Sequence, residues 1–171
     1  ASNQADPHFW LDPVSAKLAI EAITNVLVLD SSEAVILNTQ KEKYVALVTT
    51  LDQRYREGLA QCERREIATS HDAFRYLAKR YQLTTYFISG FSPEEDPSPQ
   101  KIAEVTTLAR QKGITTIFFE TLVSPKMAQT IAREIGAKTA ILNPIEGLSH
   151  DELRAGLDYI RVMDGNLEVL R

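Results

Sequence analysis

From residue 65 onward the chain alternates between two periodicities, and nothing else in the sequence constrains its fold as tightly. "EIATS" is a short strand-like run, and residues 72–81 then place Phe74, Leu77, Ala78 and Tyr81 at helical spacing. "LTTYFISG" returns to strand character. Pro99 opens a helix with Ile102, Val105 and Leu108 on one face, and Gly113 ends it. "ITTIFFE" is a third strand, followed by a helix that starts at Ser124 and Pro125, turns Met127, Ile131 and Ile135 inward and stops at Gly136. "KTAILN" is the fourth strand. In "SHDE", Ser149 and Glu152 form a capping box for one last helix expected to bury Leu153, Leu157, Ile160, Met163 and Leu167. The order βαβαβαβα predicts an α/β fold: a four-stranded parallel sheet with helices on both faces and right-handed crossovers. Apolar runs such as "TTIFF" fit strands covered on both sides.

The first third of the chain reads differently. Asp12 and Pro13 start a helix with Leu18, Ile20, Ile23, Leu27 and Val28 at helical spacing. Residues 32–62 predict a much longer helix, with Ser31 and Ser32 as available caps and an apolar stripe of Leu37, Tyr44, Val48, Leu51, Tyr55 and Leu59. At 1.5 Å per residue it extends roughly 45 Å, the length of a connecting rod rather than an element of a small domain. The chain divides accordingly into residues 1–30, 31–63 and 64–171. With 19 basic and 23 acidic residues the net charge is −4, which argues against nucleic acid as a partner. Cys62 is the single cysteine, so no intrachain disulfide forms. No run is long enough to span a bilayer, and "ASNQADPHFW" lacks the charged start and apolar centre of a signal peptide.

In an open parallel sheet, ligands bind beyond the carboxyl ends of the strands. His71 follows the first strand, Gly90 and Phe91 the second, Glu120 and Thr121 the third, and Asn143 and Pro144 the fourth. Two readings of His71 are open: a helix-start residue bonded to nearby backbone, with Ser70 or Asp72 as cap, or a metal ligand or acid–base group whose other nitrogen Asp72 orients. His8, in "DPHFWLDP", is either a solvated loop residue or a ligand oriented by Asp6, in a loop stiffened by Pro7 and Pro13. Trp10 reads as core. His150 lies within the capping box and reads as exposed and structural. "EED" at 94–96 reads as a solvated acidic loop, "SPQK" at 98–101 as a helix start, and Cys62 as a thiol without ligand spacing.

Taken together, "DPHFWLDP", the long helix, "TSHDAFRYLAKRYQL", "SPEEDPSP" and "FFETLVSPKMAQTIAREIG" resemble the solute-binding proteins of zinc and manganese ABC importers over nearly the whole chain. The resemblance implies two α/β lobes joined by one long helix, with the metal in the cleft between them. It implies His8 as a ligand from the amino-terminal lobe and His71 as one from the carboxyl-terminal lobe. Asp6, Asp72, Glu120 and Asn143 stand around them as supporting groups. Histidine rather than glutamate at the second position resembles the zinc-type members, with manganese as the alternative, and imidazole suits Zn2+ better than Mn2+. Asn143 stands where many relatives carry an aspartate ligand, so water or another group is expected to complete the site.

The implied role is a non-enzymatic receptor, periplasmic or lipid-anchored on the outer face of the cell membrane, that delivers Zn2+ to a cognate ABC permease. A metal-dependent hydrolase with Glu120 as base, and an adhesin-like scaffold with structural metal, are the competing readings. Residues 1–30 look like the tail end of a first lobe, so the chain is expected to be a fragment. In that case His8 loses its neighbours and its loop shifts, two imidazoles alone hold zinc weakly, and the exposed apolar face of residues 14–29 favours self-association.

Overall fold

The computed structural model describes residues 5–29, 32–91, 97–121 and 124–171. The acidic run at 94–96 and the Ser31 cap lie outside the described residues. Strands β1 (Glu66–Thr69), β2 (Thr84–Phe87), β3 (Thr116–Phe119) and β4 (Lys138–Ile141) form one parallel four-stranded sheet in the order β2-β1-β3-β4. The chain steps from β1 outward to β2 and then back across β1 to β3. The order therefore reverses between β1 and β3, which opens a crevice at their carboxyl ends.

Helices α1 (Pro13–Leu27) and α2 (Ala34–Ala60) precede the sheet, and a 3-10 turn, Phe9–Leu11, precedes α1. The sheet is interleaved with α3 (Arg75–Tyr81), α4 (Pro99–Gln111) and α5 (Lys126–Ile135), and followed by α6 (His150–Arg154) and α7 (Tyr159–Leu170). Two hydrophobic clusters cover its two faces. On one, Leu51, Tyr55 and Leu59 of α2, Leu77 and Tyr81 of α3, and Met163 and Leu167 of α7 pack with Ile67 and Phe118. On the other, Val105 and Ala109 of α4 and Ala128, Ile131 and Ala132 of α5 pack with Ala68 and Ile117. Neighbours Ile67 and Ala68 thus serve opposite cores, as the two-residue period of a strand requires. Ser98 caps α4 by accepting from the Lys101 N–H, and Gly136, at φ +71°, closes α5 in the left-handed conformation that glycine adopts without steric cost.

Three expectations need correction. The last helix is broken: Gly156 takes φ +69°, and Asp158 starts α7 by accepting from the Arg161 N–H. Leu153, expected in the core, sits on the short α6 and is 57 % exposed. The long helix starts at Ala34 after Glu33, with no side-chain cap, and only Val48, Leu51, Tyr55 and Leu59 of its stripe are buried. Tyr44 is exposed, and α1 is the main neighbour of α2 as a whole. The buried residues of α1 are Pro13, Ala16 and Thr24, while Leu18, Ile23 and Leu27 face outward.

Candidate metal centre

His71 stands two residues beyond β1, at the reversal point of the sheet. Its carbonyl accepts from Thr69 Oγ1 at 2.8 Å, and the next N–H, of Asp72, donates to the Gly90 carbonyl at 2.9 Å. These bonds fix a non-helical segment before α3, so the helix-cap reading of His71 does not hold: the N-cap is Phe74, without a side-chain bond. The ring is fully buried, and its Nδ1 lies 2.5 Å from Glu120 Oε1. Glu120, just past β3, is itself buried and also accepts from Ser70 Oγ. Burial pushes the His71 pKa down, but the hydrogen bond and charge of Glu120, then the charge of Glu146, outweigh it and raise it above its ordinary value.

Asp72 does not orient His71. Its carboxylate takes the Arg75 guanidinium, with Nε at 2.7 Å, and that guanidinium lies over the rings of Phe91 and Phe87. Glu120 holds the position expected of Asp72, because residue 120 directly follows the neighbouring strand and its carboxylate reaches His71 Nδ1.

His8 departs further from expectation. Instead of sitting in a displaced loop it is 1 % exposed, packed beside His71 with ring centroids 5.4 Å apart. Asp6 Oδ1 accepts from the His8 backbone N–H at 3.0 Å and lies 2.8 Å from its Nδ1. Leu11 is buried in the core cluster that α2, α3 and α7 form, and Trp10 Nε1 donates to the Pro144 carbonyl at 2.8 Å.

The residue that sequence reasoning missed is Glu146. Its Oε1 lies 2.9 Å from His8 Nε2 and 3.4 Å from His71 Nε2. Asn143, at the position expected to approach the metal, is turned to structural work: its Oδ1 accepts from the Ile145 N–H at 2.8 Å and its amide faces Glu152. The loop then passes through Ile145 at φ +56°, a strained conformation for a β-branched residue that costs on the order of 1–3 kcal/mol. The acid was legible only as a glutamate three residues further on in "NPIEGLS". The backbone reversal at Ile145 that delivers it leaves no glycine signal.

Asp6 and Glu120 lie against the Nδ1 atoms, so each ring turns its Nε2 inward, toward Glu146 Oε1. The ligand atoms of His8, His71 and Glu146 all lie within 4.8 Å of one another. Electron-rich atoms so placed repel one another unless a proton or cation lies among them. His71 Nε2 is one of two buried side-chain polar atoms without a hydrogen bond among the described residues. Zinc with two imidazoles and a carboxylate near 2.0–2.2 Å sets adjacent donors about 3.3 Å apart.

Fold and site together define an α/β lobe with a candidate metal centre at the switch point of its parallel sheet. Residues 1–171 match the family described as zinc-uptake complex component A, periplasmic, and the chain belongs to that family. It is 40 % identical to the high-affinity zinc uptake system protein ZnuA of Bacillus subtilis (strain 168), over 99 % of this chain and 54 % of that protein. It is 38 % identical to the zinc-binding lipoprotein AdcA of Streptococcus pneumoniae (strain ATCC BAA-255 / R6), over 99 % of this chain and 34 % of that one. Among solved structures, the Zn(II)-bound ZnuA-like domain of Streptococcus pneumoniae AdcA superposes with a TM-score of 0.84 at 38 % identity, covering 99 % of this chain and 64 % of that one. The laminin-binding protein Lbp of Streptococcus pyogenes gives 0.88 at 34 % identity, covering 96 % and 64 %. The chain thus spans about half or less of the length of these two sequence relatives.

Proposed function

We propose that this chain is the metal-holding part of a zinc receptor, which captures Zn2+ through His8, His71 and Glu146 and passes it to an ABC permease. The observation that carries this reading is the convergence of the three donors, with the buried His71 Nε2 left unbonded. Asp6 and Glu120 fix which nitrogen of each ring faces the ion, and this support raises ligand basicity. The receptor works outside the cytoplasmic membrane, in the periplasm or lipid-anchored, in keeping with the family description and the lipoprotein relative. Among the described residues no helix is long and apolar enough to cross a membrane. The divisions at residues 30 and 63 belong to the same reading, with α2 as the rod between two lobes and residues 5–12 docked on the second.

The role is non-catalytic. The hydrolase reading needs Glu120 free to take a proton from water, but its Oε1 is occupied by His71 and Ser70 and the side chain is 4 % exposed. Zinc is preferred over manganese because two of the three donors are imidazoles. With a carboxylate added to the two imidazoles, we expect this 171-residue chain to bind zinc measurably by itself. Competition against a chromophoric chelator checks this. His71→Ala and Glu146→Gln should each weaken binding at least tenfold, and Mn2+ should compete poorly. Zinc binding that survives both substitutions would remove the site.

A further inference from the structure

The three donors come from three segments far apart in sequence, and His8 is carried by a strap of residues 5–12 ahead of α1. What holds this strap is visible. Tyr159 Oη, at the start of α7, donates to the Trp10 carbonyl at 2.7 Å, and Trp10 Nε1 donates to the Pro144 carbonyl at 2.8 Å. The second bond ties the strap directly to the loop that presents Glu146. At the far end of the strap, Asp12 caps α1, accepting from the Val14 N–H and Ser15 Oγ. Arg80 of α3 lies 3.3 Å from Asp12 while its guanidinium forks onto Asp52 of α2, with both bonds at 2.9 Å. Each anchor engages an element of the lobe that carries His71 and Glu146, or the long helix packed on it.

We propose that Trp10, Tyr159 and Arg80 are positioning residues, which hold the His8 strap on the lobe carrying His71 and Glu146 so that one rigid body presents all three donors. This rests on the zinc-receptor reading above. On this assignment His8 belongs mechanically to the carboxyl-terminal lobe although it precedes the long helix. The ion meets a half-built coordination shell before any other part of the protein contributes a ligand.

A double-mutant cycle on the 171-residue chain tests this. Trp10→Phe with Tyr159→Phe removes both strap bonds and keeps an aromatic ring at each position. Zinc affinity should fall about ten- to a hundredfold, the range seen when the groups orienting a metal ligand are removed. Adding His8→Ala to that background should then cost little further, whereas His71→Ala should keep its full effect. X-ray absorption of the zinc-loaded double variant should show one imidazole fewer than wild type. Arg80→Lys, which keeps the charge but cannot bridge Asp12 and Asp52, should move the His8 coupling in the same direction. Thermal melts identify any variant that unfolds, and the single Tyr159→Phe chain then carries the same cycle. A global loss of stability would weaken the His8 and His71 effects alike, so equal loss of both overturns the proposal. So does a His8→Ala effect of full size in the loosened background. Absence of a His71→Ala effect in the wild-type chain would instead overturn the receptor reading itself.

Discussion

Asp52 shows how a single carboxylate can be worth more than its exposure suggests. Burial alone pushes its pKa up, but hydrogen bonds from Arg80, Arg56 and Tyr81 outweigh this and bring it down to about 2. A folded-state pKa below the ordinary 3.8 stabilises the fold above about pH 4, and that contribution drains away as pH falls toward 2. After allowance for solvent screening of this partly exposed group, the shift corresponds to at most about 2 kcal/mol. Urea midpoints at pH 5 and pH 2.5 should therefore differ more for wild type than for Asp52→Asn, and equal differences would show that the cluster contributes nothing. Glu120 is the other residue whose environment decides its role. Glu120→Gln keeps an acceptor for His71 but removes the charge, and should lower zinc affinity about tenfold or more by chelator competition while the fold persists.

Between elements, the junction of α2 with α7 is the one that sequence spacing best anticipates. Tyr55, on the apolar stripe of α2, is fully buried, and its hydroxyl donates to the Met163 carbonyl of α7 at 2.6 Å. Tyr55→Phe keeps the ring in place and should cost about 1 kcal/mol in denaturant unfolding. Zinc affinity should not change, since the hydroxyl bonds to α7 and the ring stacks on Tyr81 rather than on any of the three donors. The break between α6 and α7 has its own signal in Gly156 and Asp158. An apolar periodicity running through both helices masks it, because two short helices with a shared apolar phase read as one. α2 starts at Ala34 without a side-chain cap bond.

At the scale of the whole molecule, α1 and the first turns of α2 turn Leu18, Ile23, Val26, Leu29, Val35 and Ile36 outward, each at least 59 % exposed. A soluble monomer rarely leaves an apolar surface of this kind uncovered. Sedimentation velocity of the 171-residue chain should show concentration-dependent association, and Ile23→Lys with Val26→Lys should abolish it. A single monomer species at high concentration in the wild-type chain would contradict this expectation.

Strand and helix order, the caps at Asp12, Ser98 and Ser149, and the turn at Gly136 are local properties. Each depends on residues within a few positions of one another, and each is readable from the chain without coordinates. His71 and Glu120 were also within reach, because a parallel sheet places every strand's carboxyl end on one rim. The partner of His71 was not: Asp72 adjoins it in sequence, yet Glu120, 49 positions away, takes its Nδ1. Nor was Glu146 legible, since the left-handed turn at Ile145 that swings it inward is sustained by the Asn143 side chain and by packing against the core. The strap that carries His8 is bonded to Pro144 and Tyr159, 134 and 149 residues from Trp10. Periodicity and capping report the energetics of a few neighbouring residues. A coordination shell is assembled by contacts that exist only once distant segments have packed, so its membership is settled by the folded body.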